Sequence, residues 1–148
     1  MTDELSTPRL TKFAEIVGFE VTKFDDGRCT VEATVDERHL NLGGVAHGGL
    51  HATMLDTSMG GALVSTLPKE EWCATAQIDI SYLNAASLGS HLTANGSVVR
   101  RGRNLAHLEG ELVSEDGTVI ATAKGTWAIW RKRPSSLCLL YTSDAADE

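Results

Sequence analysis

The residues with the clearest chemical potential lie in the stretch from Asn41 to Asp56. His47, Gly48 and Gly49 stand within it, and Asp56 follows seven residues after the second glycine. The two glycines directly precede an apolar run that is predicted to be helical, so the backbone can approach a ligand closely there. The first turn of a helix offers unpaired N–H groups and the positive end of its dipole. Such a site suits an anion, or the oxyanion that develops when a carbonyl group is attacked.

Asp56 is the acidic candidate for this chemistry. It stands two turns into the predicted helix among apolar neighbours, although Asp is a poor residue within a helix and a carboxylate is costly to bury. On the helical wheel it aligns with Ala52 and Gly60, whose small side chains leave room for a ligand. The alternative is an Asp that pairs with an interior group or faces solvent.

One long helix must position these groups. It is predicted from about Gly49 to Leu67, where Pro68 ends it, and it is apolar nearly all round, which is typical of a buried helix. A short amphipathic helix is predicted earlier, and strands flank the long helix on both sides. Two strands precede it and are joined by a hairpin at Asp25-Asp26-Gly27, because Asp-Gly favours such turns. The predicted short helix spans 10–17, and the six predicted strands span 19–24, 29–35, 73–83, 91–100, 105–113 and 118–130.

These elements predict an α+β fold of one domain. The last three strands read as an antiparallel meander, and the strand at 73–83 alternates apolar and polar residues. One buried helix with about six antiparallel strands indicates a sheet wrapped around that helix, which is the hotdog architecture. We find no internal repeat and no linker, so residues 1–134 are predicted to form a single domain.

Length and composition limit the classes of protein to consider. The chain has 148 residues, 42% of them hydrophobic and 22% charged, which is typical of one soluble domain. No run approaches the roughly 18 apolar residues of a membrane-spanning helix, and the polar start does not resemble a signal peptide, so we expect a cytoplasmic protein without a membrane partner. The net charge of −7 disfavours nucleic acid as a partner.

The last residues, 138–148, do not continue the pattern before them. They read CLLYTSDAADE and resemble one reading frame of the mosaic-end adapter used in transposon-based sequencing libraries. We interpret them as a non-native tail from shotgun or metagenomic DNA, and a genuine polar tail is the alternative. Without the tail, 17 acidic residues face 13 basic ones.

The motif Asn-x-x-Gly-x-x-His-Gly-Gly, with Asp seven residues later, resembles that of the PaaI-type acyl-CoA thioesterases of the hotdog superfamily. The resemblance runs from about Gly18 to Trp130 and includes the strand residues 75–83 and the closing segment 121–126. It implies hydrolysis of an acyl-CoA thioester to a free carboxylic acid and coenzyme A. No cofactor is implied beyond the coenzyme A of the substrate.

The resemblance also implies a role for each residue of the motif. Asp56 is the general base or the nucleophile, and the Gly48 N–H polarises the thioester carbonyl. Asn41 orients the water or the substrate carbonyl, and His47 supports its loop by hydrogen bonding. Thr75 matches a strand position where relatives carry a Ser or Thr that helps to hold the water.

In the family the sites lie between two copies of the chain. The loop residues up to Gly48 come from one copy, and Asp56 and Thr75 come from the other. The resemblance therefore implies a homodimer, with a homotetramer as the further expectation. This chain has Ala85 where the family often has Pro, so the loop there is expected to be looser. The acyl group stays open among short, medium, long and aromatic classes.

Further residues are candidates for binding the substrate. Arg101 and Arg103 cluster with Arg100 at a turn and could bind the phosphates of coenzyme A, and the alternative is a solvated turn. Gly49 could line the site through its backbone. His47 and His51 have a spacing compatible with a metal, but no Glu stands between them and no metal is expected.

Two cysteines and two tryptophans are interpreted as structural residues. Cys29 and Cys73 lie in predicted strands without a neighbouring His in the sequence and read as small buried hydrophobes. Trp127 and Trp130 are interpreted as packing residues. The odd and scattered cysteines argue against a disulfide framework.

Two other functions remain as alternatives on the same fold. A hydratase or dehydratase of acyl thioesters would need a His and an acid placed for proton transfer, usually with a His-Phe-Pro-like loop, and no such loop is present. A non-catalytic module that binds acyl-CoA as a sensor would gain nothing from a carboxylate beside the thioester.

Overall fold

A computed structural model describes residues 11–132 of the chain. The suspected adapter-derived segment at 138–148 and both ends of the predicted domain at 1–134 lie outside the described residues. Between them the chain forms two α-helices, one short 3₁₀ helix and six strands. In chain order these are α1 (Lys12–Val17), β1 (Glu20–Asp25), β2 (Arg28–Thr34), the 3₁₀ helix (Glu37–His39), α2 (Gly48–Val64), β3 (Trp72–Tyr82), β4 (His91–Arg101), β5 (Leu105–Ser114) and β6 (Val119–Trp130).

The six strands form one antiparallel sheet in the order β1-β2-β4-β5-β6-β3. Asp26 and Gly27 close the β1–β2 hairpin with φ angles of 43° and 78°, which is why the Asp-Gly pair stands there. The predicted meander is confirmed as β4-β5-β6. The strand that follows α2 in the chain, β3, lies at the far edge and pairs only with β6 among residues 11–132.

Helix α2 packs across one face of this sheet and supplies much of the core. Leu50, Met54, Leu55 and Met59 are all buried on that face. The helix approaches β4 so closely that a Cβ atom at Gly96 would lie 2.3 Å from the Ser58 carbonyl oxygen. A sheet that wraps around one buried helix confirms the predicted α+β hotdog architecture.

The helix ends three residues before the predicted boundary. After Val64, the hydroxyl groups of Ser65 and Thr66 donate to the carbonyls of Ala62 and Leu63, so side chains pair with carbonyls that end the helix. The N–H groups of Thr66 and Leu67 donate to carbonyls three residues back in the chain, which tightens the last turn. The hydroxyl groups of Ser65 and Thr66 therefore end the helix before the chain reaches Pro68.

Predictions about the packing of four residues have mixed outcomes. Trp127 is buried as predicted, whereas Trp130 is half-exposed at the end of β6, so its prediction as a packing residue was wrong. Cys29 is buried as predicted, whereas Cys73, which was also predicted to be buried, is only half-buried on the edge strand β3. Burial raises the pKa of each thiol to about 11, which disfavours the nucleophilic thiolate.

Candidate active site

The loop before α2 places a backbone donor at the start of the helix. His47 is the N-cap, and its Nδ1 accepts a hydrogen bond of 2.8 Å from the Gly49 N–H. Gly48 is the first helical residue, one position earlier than predicted, and its N–H has no partner within the helix. The cap therefore uses the Gly49 donor internally and leaves the Gly48 donor for another acceptor.

Asn41 organises the loop that leads to this cap. Its Oδ1 accepts hydrogen bonds from the N–H groups of Gly43 and Val45, at 2.8 and 3.3 Å. Its backbone N–H donates to the Val45 carbonyl, and its carbonyl accepts from Gly44. The loop is thus closed on the Asn41 side chain and backbone. Leu42, at its tip, is fully exposed.

Two other segments hold the loop in place. The Ala46 N–H donates to the Ala86 carbonyl in the loop after β3. The His47 N–H donates to the carbonyl of His39, whose buried ring contacts the Val17 carbonyl at the end of α1. The position of the N-cap therefore depends on α1, the 3₁₀ helix and the loop after β3 together.

Asp56 lies at the other end of this part of α2. Its carboxylate Oδ1 accepts a hydrogen bond of 2.7 Å from the Thr75 hydroxyl on β3. Asp56 is half-buried, as are Ala52 and Gly60 on the same side of the helix. No donor among residues 11–132 binds its second oxygen. Thr75 thus holds one carboxylate oxygen and leaves the other available.

The carboxylate and the backbone donor do not meet within one chain. Gly48 and Asp56 are eight residues apart on one helix, which separates their backbones by about 12 Å along the helix axis. A base and an oxyanion donor must both stand about 3 Å from the reacting group of one substrate. The single chain therefore brings together two separate parts of the predicted site, Asp56 with Thr75 and Asn41 with His47 and Gly48.

Tyr82 was not predicted as a site residue, yet it contacts the start of α2. Its hydroxyl donates to the Gly48 carbonyl at 3.2 Å, and its ring lies 6.1 Å from that of His51, measured between centroids. Its alternation within β3 marked it only as a strand residue. A hydroxyl that binds a backbone carbonyl has no sequence signature, so nothing in the sequence distinguishes this contact.

His51 is buried beside this contact, with 3% of its surface exposed. Its Nδ1 has no hydrogen-bond partner among the described residues. Burial lowers the pKa of His51, and repulsion from His47 lowers it further. The neutral imidazole is therefore the favoured form next to Gly48 and Tyr82.

The predicted coenzyme A-binding arginines lie near the end of β4. Arg101 donates to the Thr66 carbonyl and to the Glu71 carboxylate, so its guanidinium group connects β4 to the segment between α2 and β3. Arg103 is exposed in the turn that follows. The structure thus gives Arg101 partners within the chain and leaves Arg103 open to solvent.

Two other classes of feature are absent from the described residues. Within 11–132, no group of three or more His, Cys, Asp or Glu residues is arranged to hold a metal ion. In the same residues, no helix is long and apolar enough to cross a membrane.

The fold, the Asp56 carboxylate and the Gly48 N–H point to a hydrolase of the hotdog type, and comparisons with known proteins agree. The model of the family described as the thioesterase superfamily matches residues 43–121, which include Gly48, Asp56, Thr75 and Tyr82. The chain is similar to acyl-coenzyme A thioesterase 13 of Pongo abelii, with 32% identity over 68% of this chain and 71% of that protein.

Two solved structures show the same similarity in three dimensions. One is a protein from Streptococcus pneumoniae described as a hypothetical thioesterase, with coenzyme A, at 29% identity and a TM-score of 0.72, covering 79% of this chain and 89% of that one. The other is a mutant of the phenylacetic acid degradation protein PaaI from Thermus thermophilus, at 27% identity and a TM-score of 0.74, covering 80% and 98%. The chain belongs to the thioesterase superfamily, and it is a thioester hydrolase of the PaaI-like hotdog type.

Proposed function

We propose that this protein hydrolyses acyl-CoA thioesters, with Asp56 as base or nucleophile and the Gly48 N–H as the oxyanion donor. The observation that carries the proposal is the 2.7 Å hydrogen bond from Thr75 to Asp56, because it orients a half-buried carboxylate whose second oxygen is available. A carboxylate held in this way can act on water or on the thioester carbon. Similarity to an acyl-coenzyme A thioesterase and to a structure with coenzyme A supports the choice of substrate.

In the general-base route, Asp56 takes a proton from water while the water oxygen bonds to the thioester carbon. The carbonyl oxygen becomes negative and accepts a hydrogen bond from the Gly48 N–H at the positive end of α2. Collapse of the intermediate breaks the carbon–sulfur bond, and the departing thiolate receives the proton. In the nucleophilic route, an Asp56 oxygen bonds to the thioester carbon and displaces the coenzyme A thiolate, which leaves an acyl-aspartyl anhydride. Water then hydrolyses the anhydride, which regenerates the Asp56 carboxylate and releases the acid, and the proton given up by the water neutralises the thiolate.

The proposed chemistry needs two copies of the chain. Asp56 and Gly48 are about 12 Å apart within one copy, which is too far for both to contact one thioester group. The outer edge of β3 has no partner strand in the described chain, and a long unpaired edge is a template for pairing with another chain. Pairing of two β3 edges would give a homodimer in which Asp56 of one copy can face Gly48 of the other.

The binding of coenzyme A is proposed to involve the backbone near Gly49 and the exposed Arg103. An exposed guanidinium group suits a phosphate. Arg101 is also proposed for this role, although a phosphate would have to compete with its contact to Glu71. We further propose that the dimer assembles into a tetramer in the cytoplasm, on the basis of the family resemblance.

The proposal is tested by the release of free thiol from short, medium, long and aromatic acyl-CoAs. Wild type and Asp56→Ala are measured side by side, with melting temperatures to confirm that both are folded. We expect wild type to release thiol from at least one acyl class and the variant to lose that activity. Binding without hydrolysis, unaffected by the variant, would support a sensor instead.

Single-turnover hydrolysis in ¹⁸O-labelled water separates the two roles of Asp56. With enzyme in excess, the general-base route places the label in the product acid during the first turnover. In the nucleophilic route, attack of water on the aspartyl carbon of the anhydride leaves the label in Asp56. Mass spectrometry of the product and of the peptide that contains Asp56 reads out both locations.

A further inference from the structure

Strand β3 contacts α2 at a second place besides the Thr75–Asp56 hydrogen bond. At the end of the strand, the Tyr82 hydroxyl donates to the Gly48 carbonyl at 3.2 Å. The Tyr82 ring also lies against the Gly48 backbone, since a Cβ atom placed on Gly48 would be 3.0 Å from Cε1 of the ring. One aromatic side chain thus restrains both the carbonyl and the Cα of the residue that carries the proposed oxyanion donor.

The N-cap restrains the same residue from its other side. His47 Nδ1 accepts from the N–H of Gly49, and the His47 N–H is bound to the His39 carbonyl. The Gly48 N–H lies in the peptide plane that joins His47 to Gly48, and the His47 carbonyl of that plane accepts a hydrogen bond of 3.0 Å from the Leu50 N–H. His47 Nδ1 and the Tyr82 hydroxyl both bind the next peptide plane, the first through the Gly49 N–H and the second through the Gly48 carbonyl. Together these hydrogen bonds leave the Gly48 N–H little freedom to turn away from a substrate.

The local packing explains how Tyr82 keeps this position while 55% of its surface is exposed. Its backbone pairs with Ala121 of β6, and the next residue, Leu83, donates its N–H to the Ile120 carbonyl. On the helix side, the buried ring of His51 lies 6.1 Å from the Tyr82 ring at an interplanar angle of 37°. Strand β6 therefore holds the backbone of Tyr82, and the buried His51 ring lies beside its side chain.

We infer that Tyr82 is a positioning residue for catalysis, which acts by fixing the Gly48 N–H where it binds the thioester carbonyl oxygen. The inference rests on the proposed function, because it concerns the oxyanion donor of that same site. Tyr82 takes no part in bond making or breaking. Its contribution is the alignment of a hydrogen bond that strengthens as the oxygen becomes negative, so its loss should lower kcat more than it raises KM.

Tyr82→Phe tests this inference because it keeps the ring and removes only the hydroxyl. Ser81→Ala is the matched control, since it removes a hydroxyl from the neighbouring strand position, which points to the opposite face of the sheet. We expect Tyr82→Phe to lower kcat about five- to tenfold with KM and melting temperature nearly unchanged. Ser81→Ala should leave kcat, KM and melting temperature unchanged. An unchanged kcat in Tyr82→Phe would overturn the inference.

A spectroscopic measurement separates this inference from the hydrolysis itself. In an Asp56→Asn background, a ¹³C-labelled thioester carbonyl can be followed by difference infrared spectroscopy while the substrate stays bound. Polarisation by the Gly48 N–H should shift the carbonyl band to lower frequency, and adding Tyr82→Phe should return it toward the value in solution. A shifted band that Tyr82→Phe leaves in place would refute the role of Tyr82, even if wild type proves to be an active thioesterase. Loss of the shift would support that role whether or not Asp56 proves to be the base.

Discussion

Two hydrogen bonds between α2 and β3 hold groups of different kinds, both of which are proposed to be catalytic. Near the middle of the helix, Thr75 binds the Asp56 carboxylate, a contact between two side chains. At the start of the helix, Tyr82 binds the Gly48 carbonyl, a contact from a side chain to the backbone. The Thr75 hydroxyl orients the negative charge of the Asp56 side chain. The Tyr82 hydroxyl orients the backbone at Gly48, whose N–H group is available only because the fold starts a helix there. The comparison shows why Asp56 is visible in the sequence, whereas the group that positions Gly48 is found only in the structure.

Asp56→Asn is expected to have the largest effect, because it removes the group that is proposed to receive the proton or attack the thioester. Asn retains an oxygen that can accept the hydrogen bond from Thr75, so the local structure should persist. We expect kcat to fall by about two orders of magnitude or more, since general acid–base catalysis contributes about that much. Thiol release from the preferred acyl-CoA measures it. A folded variant with near-normal turnover would refute the assignment of Asp56.

Gly48→Pro examines the other contact by deleting the backbone N–H. Pro is compatible with the first helical position, and the extended conformation of His47, with φ −65° and ψ 138°, suits a residue before Pro. Loss of one oxyanion donor typically costs about 10²- to 10³-fold in kcat. Gly48→Ala is the matched control, because its Cβ also meets Tyr82 but its N–H is retained. If both variants lose activity equally, steric contact with Tyr82 explains the loss and the N–H does not.

Mixing these two inactive variants tests whether the contacts of one site come from different copies. A dimer of one Asp56→Asn chain and one Gly48→Pro chain would contain one intact site and one doubly altered site. Random pairing after co-refolding would make about half of the dimers mixed, so activity should recover to about a quarter of wild type. Colorimetric thiol assays before and after mixing measure the recovery. No recovery, in a sample shown by light scattering to contain mixed dimers, would mean that both groups act within one chain.

Thr75→Ala should have a smaller effect than the loss of either proposed catalytic group. The variant removes the hydroxyl that donates to Asp56 but leaves the carboxylate. A hydrogen bond to a charged group contributes about 1.5–3 kcal/mol, so we expect a decrease of at least about tenfold in kcat. Thr75→Ser keeps the hydroxyl and should retain most of the activity. Equal losses in the two variants would assign the effect to packing of the Thr methyl group.

Much of the fold could be predicted because its signals are local. The Asp26-Gly27 hairpin and the β4-β5-β6 meander follow from turn residues and alternation between neighbours in the sequence. The position of β3 at the far edge beside β6 could not be predicted, because it depends on pairing between strands that are far apart in the sequence. The end of α2 and the exposure of Trp130 likewise depend on side chains that meet only in the folded chain.

The candidate site divides in the same way. The position of Asp56 in an apolar helix identified it as a candidate, the resemblance added Thr75, and the structure shows that the two are in contact. The resemblance predicted a supporting role for His47, and the structure shows the bond to Gly49 by which His47 caps the helix. Tyr82 and the buried state of His51 could not be predicted, because one depends on a backbone carbonyl and the other on packing between α2 and the end of β3.

The smallest expected effect concerns stability at the Tyr82 contact and follows from the buried His51. Burial, with repulsion from His47 as the second cause, lowers the pKa of His51 in the folded protein. Above the pKa of an unfolded His, about 6.5, neither state takes up the proton. As the pH falls below that value, the unfolded chain binds the proton first, so the free energy of unfolding decreases by up to about 1.4 kcal/mol per pH unit until the folded state also titrates. Urea unfolding between pH 8 and pH 5 should therefore show a shallower loss of stability in His51→Gln than in wild type. Tyr82→Phe, which keeps His51, should retain the wild-type slope, and a parallel loss in His51→Gln would assign the acid sensitivity to other groups.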